Sequence, residues 1–414
     1  MKMNKLLIIL AVVSLAFCQD SISGDLDTVI KQVFGESPGN LGLKKPSTIV
    51  PPVMVRATSA TPASCILNDG SSGACVNNYL CNANNYVIND GVGIIDRRDQ
   101  HRLCTYYEVC CSLSDRRKSG DLITTAPPVD RREGCGRRNQ GGLGFRITSD
   151  SDDEAQFGEF PWMVAILKIE PVDAEDPEGK KRNVYVGGGS LIHPRAVLTV
   201  AHYVTASKTF RVRAGEWDTQ TTKEIYPYQD RDVSEILIHK DFNKRNLFYD
   251  IALLFLASSM EYALNVGIVC LPPPGQRTLA GTRCLASGWG KDKSEKEGRF
   301  QVILRKVEVP VVDRRECETA LRKTRLGDFF KLHASFMCAG GENGKDTCKG
   351  DGGSPLVCPV PYEKDRYMQS GIVAWGIGCG QDGTPGVYVD VANLRDWIDD
   401  KMAGKGFDTT IYTY

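Results

Sequence analysis

The chain has 414 residues, 42% of them hydrophobic, which allows one large domain with its own core and a smaller unit beside it. Lys and Arg together number 51, and so do Asp and Glu, so no net charge favours nucleic acid or an acidic membrane surface as a partner.

The first residues have the pattern of a secretory signal peptide. Lys2 and Lys5 precede an apolar run over residues 6–17, and the small side chains of Ala16 and Cys18 lie three and one positions before a cut at Gln19. The run is too short to span a bilayer, and no later stretch is long and apolar enough. We therefore predict that residues 1–18 are removed and that the mature protein is secreted, extracellular and not inserted in a membrane.

The cysteine count fits an oxidising compartment. Of 15 cysteines, 14 remain once Cys18 leaves, which is an even number. Six crowd residues 65–111, and the other eight spread from Cys135 to Cys379. Zinc is the alternative for such a cluster, but there is no Cys-x-x-Cys repeat and the compartment disfavours it. Residues 65–111 are too few to bury a stable core, so we expect three disulfides to hold them.

The segments around this cysteine-rich stretch differ in composition. Residues 19–64 are rich in Ser, Pro, Gly and Thr and are predicted to form an N-terminal extension. Residues 112–146 turn basic, with Arg-Arg pairs at 116–117, 131–132 and 137–138, and are predicted to be an accessible linker. The large domain is assigned to residues 147–403, followed by a C-terminal tail at 404–414.

The large domain has the pattern of an all-β fold. Phe210, Val212 and Ala214 alternate with polar residues, and short strands are punctuated throughout by Gly and Pro turns. A helical period appears only near the end, with one apolar face formed by Val391, Leu394, Trp397, Ile398 and Met402. The pattern predicts an antiparallel barrel or sandwich closed by a C-terminal helix.

Seven short motifs of this domain occur in a fixed order. They are GEFPW (158–162), GGSLI (188–192), LTVAH (198–202), DIALL (250–254), SGWG (287–290), WG (375–376) and PGVY (385–388). This order resembles a chymotrypsin-fold protease domain over residues 147–403, which implies a chymotrypsin-like double β-barrel with a C-terminal helix. The cysteine-rich stretch 65–111 resembles an arthropod clip domain. The phrase DGVGIID (90–96) looks like the non-catalytic, prophenoloxidase-activating factor 2 or masquerade-like branch of that family.

The chemistry of this family needs a serine nucleophile, a histidine base and an aspartate that orients the base. The resemblance assigns the base to His202 and its orienting carboxylate to Asp250. The nucleophile position is Gly352, and loss of the nucleophilic side chain costs on the order of a millionfold in rate. Ser354 lies two residues further on, roughly 6–7 Å along an extended chain, whereas a nucleophile must lie about 3 Å from its base. We therefore predict a vestigial triad without catalysis.

Other positions also depart from active relatives. A disulfide that active relatives carry would join positions 187 and 203, which are Gly187 and Tyr203 here. Active relatives release an Ile-Val-Gly-Gly terminus, whereas Arg146 is followed by Ile-Thr-Ser-Asp, so we expect the loop around position 352 to lack its usual support. Asp346 matches the specificity-pocket aspartate of trypsin-like enzymes, and we regard the pocket as vestigial.

The resemblance implies a complete pairing of the 14 cysteines, although six cysteines alone permit fifteen pairings. In the clip domain the implied pairs are Cys65–Cys110, Cys75–Cys104 and Cys81–Cys111. In the protease-like domain they are Cys135–Cys270, Cys284–Cys358, Cys317–Cys338 and Cys348–Cys379.

A calcium site is predicted in the surface loop 215–224, where many relatives of this family bind Ca²⁺. Its three carboxylates, Glu216, Asp218 and Glu224, are the hard oxygen ligands that Ca²⁺ prefers. An acidic solvated loop is the alternative. No catalytic cofactor is expected.

The resemblance implies a secreted, haemolymph protein that binds rather than cuts, as an auxiliary factor in prophenoloxidase activation, melanisation and innate immunity. Its expected partners are prophenoloxidase and an upstream active clip-domain protease, with self-assembly after cleavage. The alternatives are a residual Arg-specific endopeptidase using Ser354 and a microbial pattern-recognition module. We expect activation by a cut at one of five arginines, with the clip loop favoured: Arg97, Arg98, Arg131, Arg132 or Arg146.

Overall fold

The computed structural model describes residues 63–67, 70–77, 93–96, 104, 108–113, 134–143, 145–148, 153–173, 176, 179–205, 207, 209–220, 226–291, 300–347, 350–363, 365–378 and 380–414. The predicted signal peptide and nearly all of the N-terminal extension lie outside these residues. The described residues from 63 to 414 belong to one compact unit.

A small antiparallel sheet forms the clip region. Its strands are β1 (Ser64–Ile66), β2 (Ser72–Asn77) and β4 (Glu108–Ser112), in the order β1-β2-β4. Disulfides Cys65–Cys110 and Cys75–Cys104 cross this sheet. Cys111 is also disulfide-bonded, and its predicted partner at position 81 lies outside the described residues. Because these thiols are consumed in disulfides, the described cysteines do not form the alternative zinc site.

Two closed six-stranded barrels make up the large domain. The strands of the first barrel are β6 (Met163–Pro171), β7 (Lys181–His193), β8 (Ala196–Thr199), β9 (Phe210–Ala214), β10 (Gln229–Ile238) and β11 (Ala252–Leu256). Those of the second are β12 (Arg283–Gly288), β13 (Arg305–Val312), β14 (Phe336–Gly340), β15 (Pro355–Pro359), β16 (Tyr367–Trp375) and β17 (Pro385–Asp390). Neighbouring strands follow the order β10-β11-β8-β7-β6-β9 in the first barrel and β12-β13-β14-β17-β16-β15 in the second.

The helices of the described residues lie at the ends of these strands. They are α1 (Ala201–Val204), α2 (Arg314–Arg322), α3 (Val391–Gly404) and a 3₁₀ turn (Thr410–Tyr412). Asp390 caps α3 by accepting a hydrogen bond from Asn393 N at 3.1 Å. None of the helices in the described ranges is long and apolar enough to cross a membrane.

The predicted all-β double barrel with a C-terminal helix is confirmed, and the sandwich alternative is wrong because both sheets close on themselves. In β9 the buried residues alternate as the sequence pattern requires. The helical apolar face packs on the core as predicted, with Val391, Leu394, Ile398 and Met402 buried.

The C-terminal part of the predicted linker is fixed to the large domain. Residues 134–143 lie against the barrels, with Cys135 bonded to Cys270 and fully buried. The buried carboxylate of Glu159 accepts hydrogen bonds from Arg138 Nε at 3.1 Å and from Lys306 Nζ at 3.0 Å. A buried carboxylate needs such partners, so this segment is fixed by electrostatics as well as by its disulfide.

The predicted C-terminal tail also belongs to the domain. Leu271 N donates to Tyr412 O at 2.8 Å, and the Tyr412 ring is fully buried beneath the Arg395 guanidinium, 4.8 Å from its centroid. Burial of so large an aromatic ring stabilises the domain, so residues beyond the end of α3 are structural.

A short strand of the clip region reaches the protease-like domain. β3 (Gly93–Asp96) pairs in parallel with β5 (Phe145–Thr148), with Ile94 opposite Arg146 and Ile95 opposite Ile147. The predicted cleavage position at Arg146 therefore lies inside a paired strand.

Two further predicted disulfides form in this half of the domain: Cys284–Cys358 joins β12 to β15, and Cys317–Cys338 joins α2 to β14. The predicted pair Cys348–Cys379 lies outside the described residues.

Candidate active-site cleft

The histidine and aspartate of the predicted triad meet in the structure. His202 lies in α1, directly after β8, and Asp250 lies just before β11, which pairs with β8. His202 Nδ1 lies 2.5 Å from Asp250 Oδ2, and the backbone N–H of His202 donates to Asp250 Oδ1 at 2.8 Å. Asp250 is fully buried, whereas 21% of the His202 side chain is exposed. This is the geometry that fixes an imidazole for proton transfer.

The loop that would carry the nucleophile is tightly bonded to both barrels. Gly188 N donates to Gly352 O at 3.0 Å, and Gly353 N donates to Val373 O at 2.9 Å. Gly353 has φ +83°, and a Cβ there would lie 2.3 Å from Gly188 O, so only glycine fits. Gly352 presents only backbone to the cleft.

Ser354 cannot take over as nucleophile in this arrangement. Its side chain is fully buried, and its hydroxyl has no hydrogen-bond partner among the described residues. A Cβ on Gly188 would lie 2.1 Å from Ser354 Oγ, so the hydroxyl faces the backbone of β7. No substrate carbonyl can reach a fully buried hydroxyl, and a nucleophile has to contact the carbonyl that it attacks.

Tyr203 lies against Gly352 and Gly187 and beside His202. A Cβ on Gly352 would lie 2.7–2.9 Å from Cε2, Oη and Cζ of Tyr203, and one on Gly187 would lie 2.4 Å from Cδ2 and Cε2. The ring centroids of His202 and Tyr203 are 4.3 Å apart. The sequence indicates only that the two cysteines are missing at positions 187 and 203. The structure shows that the Tyr203 ring fills the space that Gly187 leaves.

Two tyrosines hold the backbone of Gly350. Tyr185 Oη donates to Gly350 O at 3.0 Å. A backbone hydrogen bond from Gly350 lowers the pKa of Tyr203. Burial, followed by the charges of Asp351 and Asp250, raises the pKa of Tyr203 more strongly, so the phenol is neutral.

The side chain of Asp351 also supports this loop. Gly290 N donates to Asp351 Oδ1 at 2.8 Å. We predict that the loop lacks the support that an inserted amino terminus gives in active relatives, and this stays a prediction. The structure adds that Asp351 binds Gly290 N, after the end of β12, and that Tyr185 of β7 binds Gly350 O.

The predicted specificity-pocket aspartate lies on the wall of a cavity of about 470 Å³, which Asp351 also lines. Thr347 N donates to Asp346 Oδ1 at 2.8 Å and Gly380 N donates to Oδ2 at 3.1 Å. Burial raises the pKa of Asp346 to about 6, and the Asp351 charge adds to this, while the two backbone donors oppose it.

Two of the three predicted calcium ligands lie in the described residues, and Glu224 lies outside them. Glu216 Oε2 accepts a hydrogen bond from Arg213 Nη1 at 3.0 Å, and Asp218 Oδ1 accepts one from Gln220 N at 3.0 Å. Within the described residues, the only convergent set of three metal-ligating side chains is a group of disulfide cysteines. The calcium site stays a prediction, with Glu216 and Asp218 in the described part of the loop.

Comparisons with known proteins agree with this geometry. The Trypsin family model matches residues 150–398, and the model described as serine protease clip domain PPAF-2 matches residues 63–112. The chain belongs to the clip-domain branch of the trypsin family.

Its relatives include several proteins named as inactive. Phenoloxidase-activating factor 2 of Galleria mellonella is 74% identical over 302 residues, which is 72% of this chain and 100% of that protein. Inactive CLIP domain-containing serine protease A8 of Anopheles gambiae is 38% identical over 354 residues, covering 81% of this chain and 92% of that protein. Protein masquerade of Drosophila melanogaster is 36% identical over 260 residues, covering 61% of this chain and 23% of that protein.

Proposed function

We propose that this chain is a secreted, non-catalytic serine protease homologue that acts by binding, as a cofactor in prophenoloxidase activation. One observation carries the proposal: His202 and Asp250 are assembled as in an enzyme, while position 352 offers no side chain to attack a substrate. A cleft with a base and no nucleophile can hold a partner without cutting it.

The architecture supports a binding role. Disulfides tie the described parts of both the clip sheet and the barrels, so the protein presents rigid surfaces whose ordering entropy is lost at folding rather than at binding. The relatives named phenoloxidase-activating factor 2 and inactive clip-domain proteases support the same role. The partners that we propose are prophenoloxidase and an active, Arg-specific clip-domain protease that cleaves this chain, with self-assembly after the cut.

The first experiment tests the absence of catalysis. The secreted protein and a Ser354→Ala variant are incubated with a fluorophosphonate probe and with Arg and Lys peptide substrates, beside an active trypsin-like protease. We expect neither labelling nor turnover, because Gly352 provides no nucleophile. Labelling of the wild type that is lost in Ser354→Ala would support the residual endopeptidase instead and would refute the proposal.

The second experiment tests the partner. Immobilised protein, before and after cleavage by an Arg-specific protease, is offered purified prophenoloxidase and bacterial wall material in separate binding assays. Saturable binding of prophenoloxidase and faster prophenoloxidase activation are the expected results. Binding to wall material alone would favour the pattern-recognition alternative.

A further inference from the structure

The Tyr203 side chain lies against the position that carries the nucleophile in active serine proteases. Loss of the serine alone does not require a tyrosine there. Its ring edge lies against Gly187 on one strand and Gly352 on the loop, and each glycine leaves room for it. An L side chain at either position would overlap the ring, since contacts under 3 Å do not occur for real Cβ atoms. The three residues are therefore complementary in shape.

The hydroxyl of Tyr203 also lies where the nucleophile's side chain would begin, because a Cβ on Gly352 would be 2.8 Å from its oxygen. In serine proteases the oxyanion hole is formed by the backbone N–H groups of the nucleophile and of the residue two positions before it. Here those residues are Gly352 and Gly350, and the Tyr203 side chain lies directly against Gly352. The hydroxyl of Tyr185 binds the carbonyl oxygen of Gly350 rather than its N–H.

We propose that Tyr203 is a built-in plug, whose ring and hydroxyl fill the place of the nucleophile's side chain. The plug holds the loop of residues 350–353 in its final form without an inserted amino terminus. This inference rests on the proposed non-catalytic function and deepens it: the nucleophile has been lost, and its place has been filled by another side chain. Restoring the serine alone therefore does not restore an active site.

A double-mutant cycle on folding stability tests the plug independently of activity. Gly352→Ala should lower the unfolding temperature by several degrees in the wild-type background, because the new methyl group overlaps the Tyr203 ring. In a Tyr203→Ala background the same change should cost at most about one degree, because the overlap is gone. Equal losses in both backgrounds would overturn the proposal.

Gly353→Ala is the matched control. A methyl group there meets Gly188 O and Thr199 Oγ1 rather than Tyr203, and it also strains a backbone with φ +83°. Its cost should therefore be the same in the wild-type and in the Tyr203→Ala background. Rescue of Gly353→Ala by Tyr203→Ala would mean that the loss of the ring merely loosens the whole loop, and would also overturn the proposal.

Chemical labelling provides a second readout. Gly352→Ser with Tyr203 intact should react with a fluorophosphonate no faster than the wild type, because its hydroxyl cannot enter the filled space. Labelling of Gly352→Ser at the rate of an active protease would refute the plug and leave the proposed function intact. Labelling of the wild type would refute the proposed function and leave the stability cycle to decide on the plug.

Discussion

Replacing Ser354 by alanine should stabilise this protein slightly. The hydroxyl is fully buried and has no partner among the described residues, and an unpaired buried hydroxyl costs about 1–3 kcal/mol. Ser354→Ala removes that cost and leaves a gap of only one oxygen atom. The dispersion contacts of that oxygen are lost, which offsets part of the stabilisation. We expect a net increase of about 1 kcal/mol in the free energy of unfolding, or about 2–4 °C in unfolding temperature for a domain of this size.

Ser190→Ala is the matched control in the same core. Ser190 is also fully buried, but its Oγ donates to Gln369 Oε1 at 2.5 Å. Removing this hydroxyl leaves the buried amide oxygen of Gln369 without its donor. The free energy of unfolding should therefore fall by about 1–3 kcal/mol. The two serine-to-alanine changes remove the same atoms and should shift stability in opposite directions.

Calorimetry and denaturant unfolding at pH 7 measure both shifts. A loss of about 1 kcal/mol or more in Ser354→Ala would show that the hydroxyl is hydrogen-bonded in the folded protein, which contradicts the packing argument. It would also reopen the question of a displaced nucleophile. If Ser354→Ala gains stability and neither protein is labelled by the fluorophosphonate, Ser354 does not act as a nucleophile.

Two further predictions concern charge. Excess Ca²⁺ should raise the unfolding temperature relative to a sample with chelator, because an ion that binds only the folded state stabilises it. Glu216→Gln should abolish this difference. Equal unfolding temperatures of the wild type with Ca²⁺ and with chelator would exclude the site. The pKa of Asp346 is raised to about 6 by burial, so its folded-state cost is absent below about pH 4 and grows up to about pH 6. The unfolding temperature of Asp346→Asn relative to the wild type should therefore rise between about pH 4 and pH 7, and a pH-independent difference would contradict the burial effect.

The motifs were sufficient to predict the double barrel and the His202–Asp250 pair. Both came from the family resemblance that these motifs carry, and the structure shows why the pair meets: His202 lies just after β8, and Asp250 lies just before β11, which pairs with β8. The position of Tyr203 was not predictable in the same way. The sequence shows that a glycine and a tyrosine replace two cysteines, but the direction of the ring depends on the packing of three separate segments.

The attachment of residues 134–143 could have been predicted from one buried charge. Glu159 stands between a glycine and the apolar residues Phe160 and Trp162, so it enters the core and requires cationic partners. Composition alone predicts an accessible basic linker that includes the Arg137–Arg138 pair. In the structure Arg138 is the partner of Glu159.

The bond after Arg146 should be a poor first target for the activating protease. It lies in β5, paired with β3, and the segment around it is held by Leu143 N donating to Phe157 O at 2.9 Å and by Lys306 N donating to Asp153 O at 2.7 Å. A protease binds its substrate in an extended, unpaired form, so the β3–β5 ladder must open before the bond is cut.

We therefore expect an Arg-specific protease to cut first at the other predicted arginines, which lie outside the described residues, and to produce a terminus at Ile147 only later. Ile95→Pro removes a backbone N–H from β3 and should accelerate the Arg146 cut by roughly 5- to 150-fold, as expected for about 1–3 kcal/mol of lost pairing. Ile95→Val keeps the backbone donor and should not. N-terminal sequencing over a digestion time course, with and without reductant, measures the order. A terminus at Ile147 that appears first in the wild type would show that the pairing of β3 with β5 does not protect this bond.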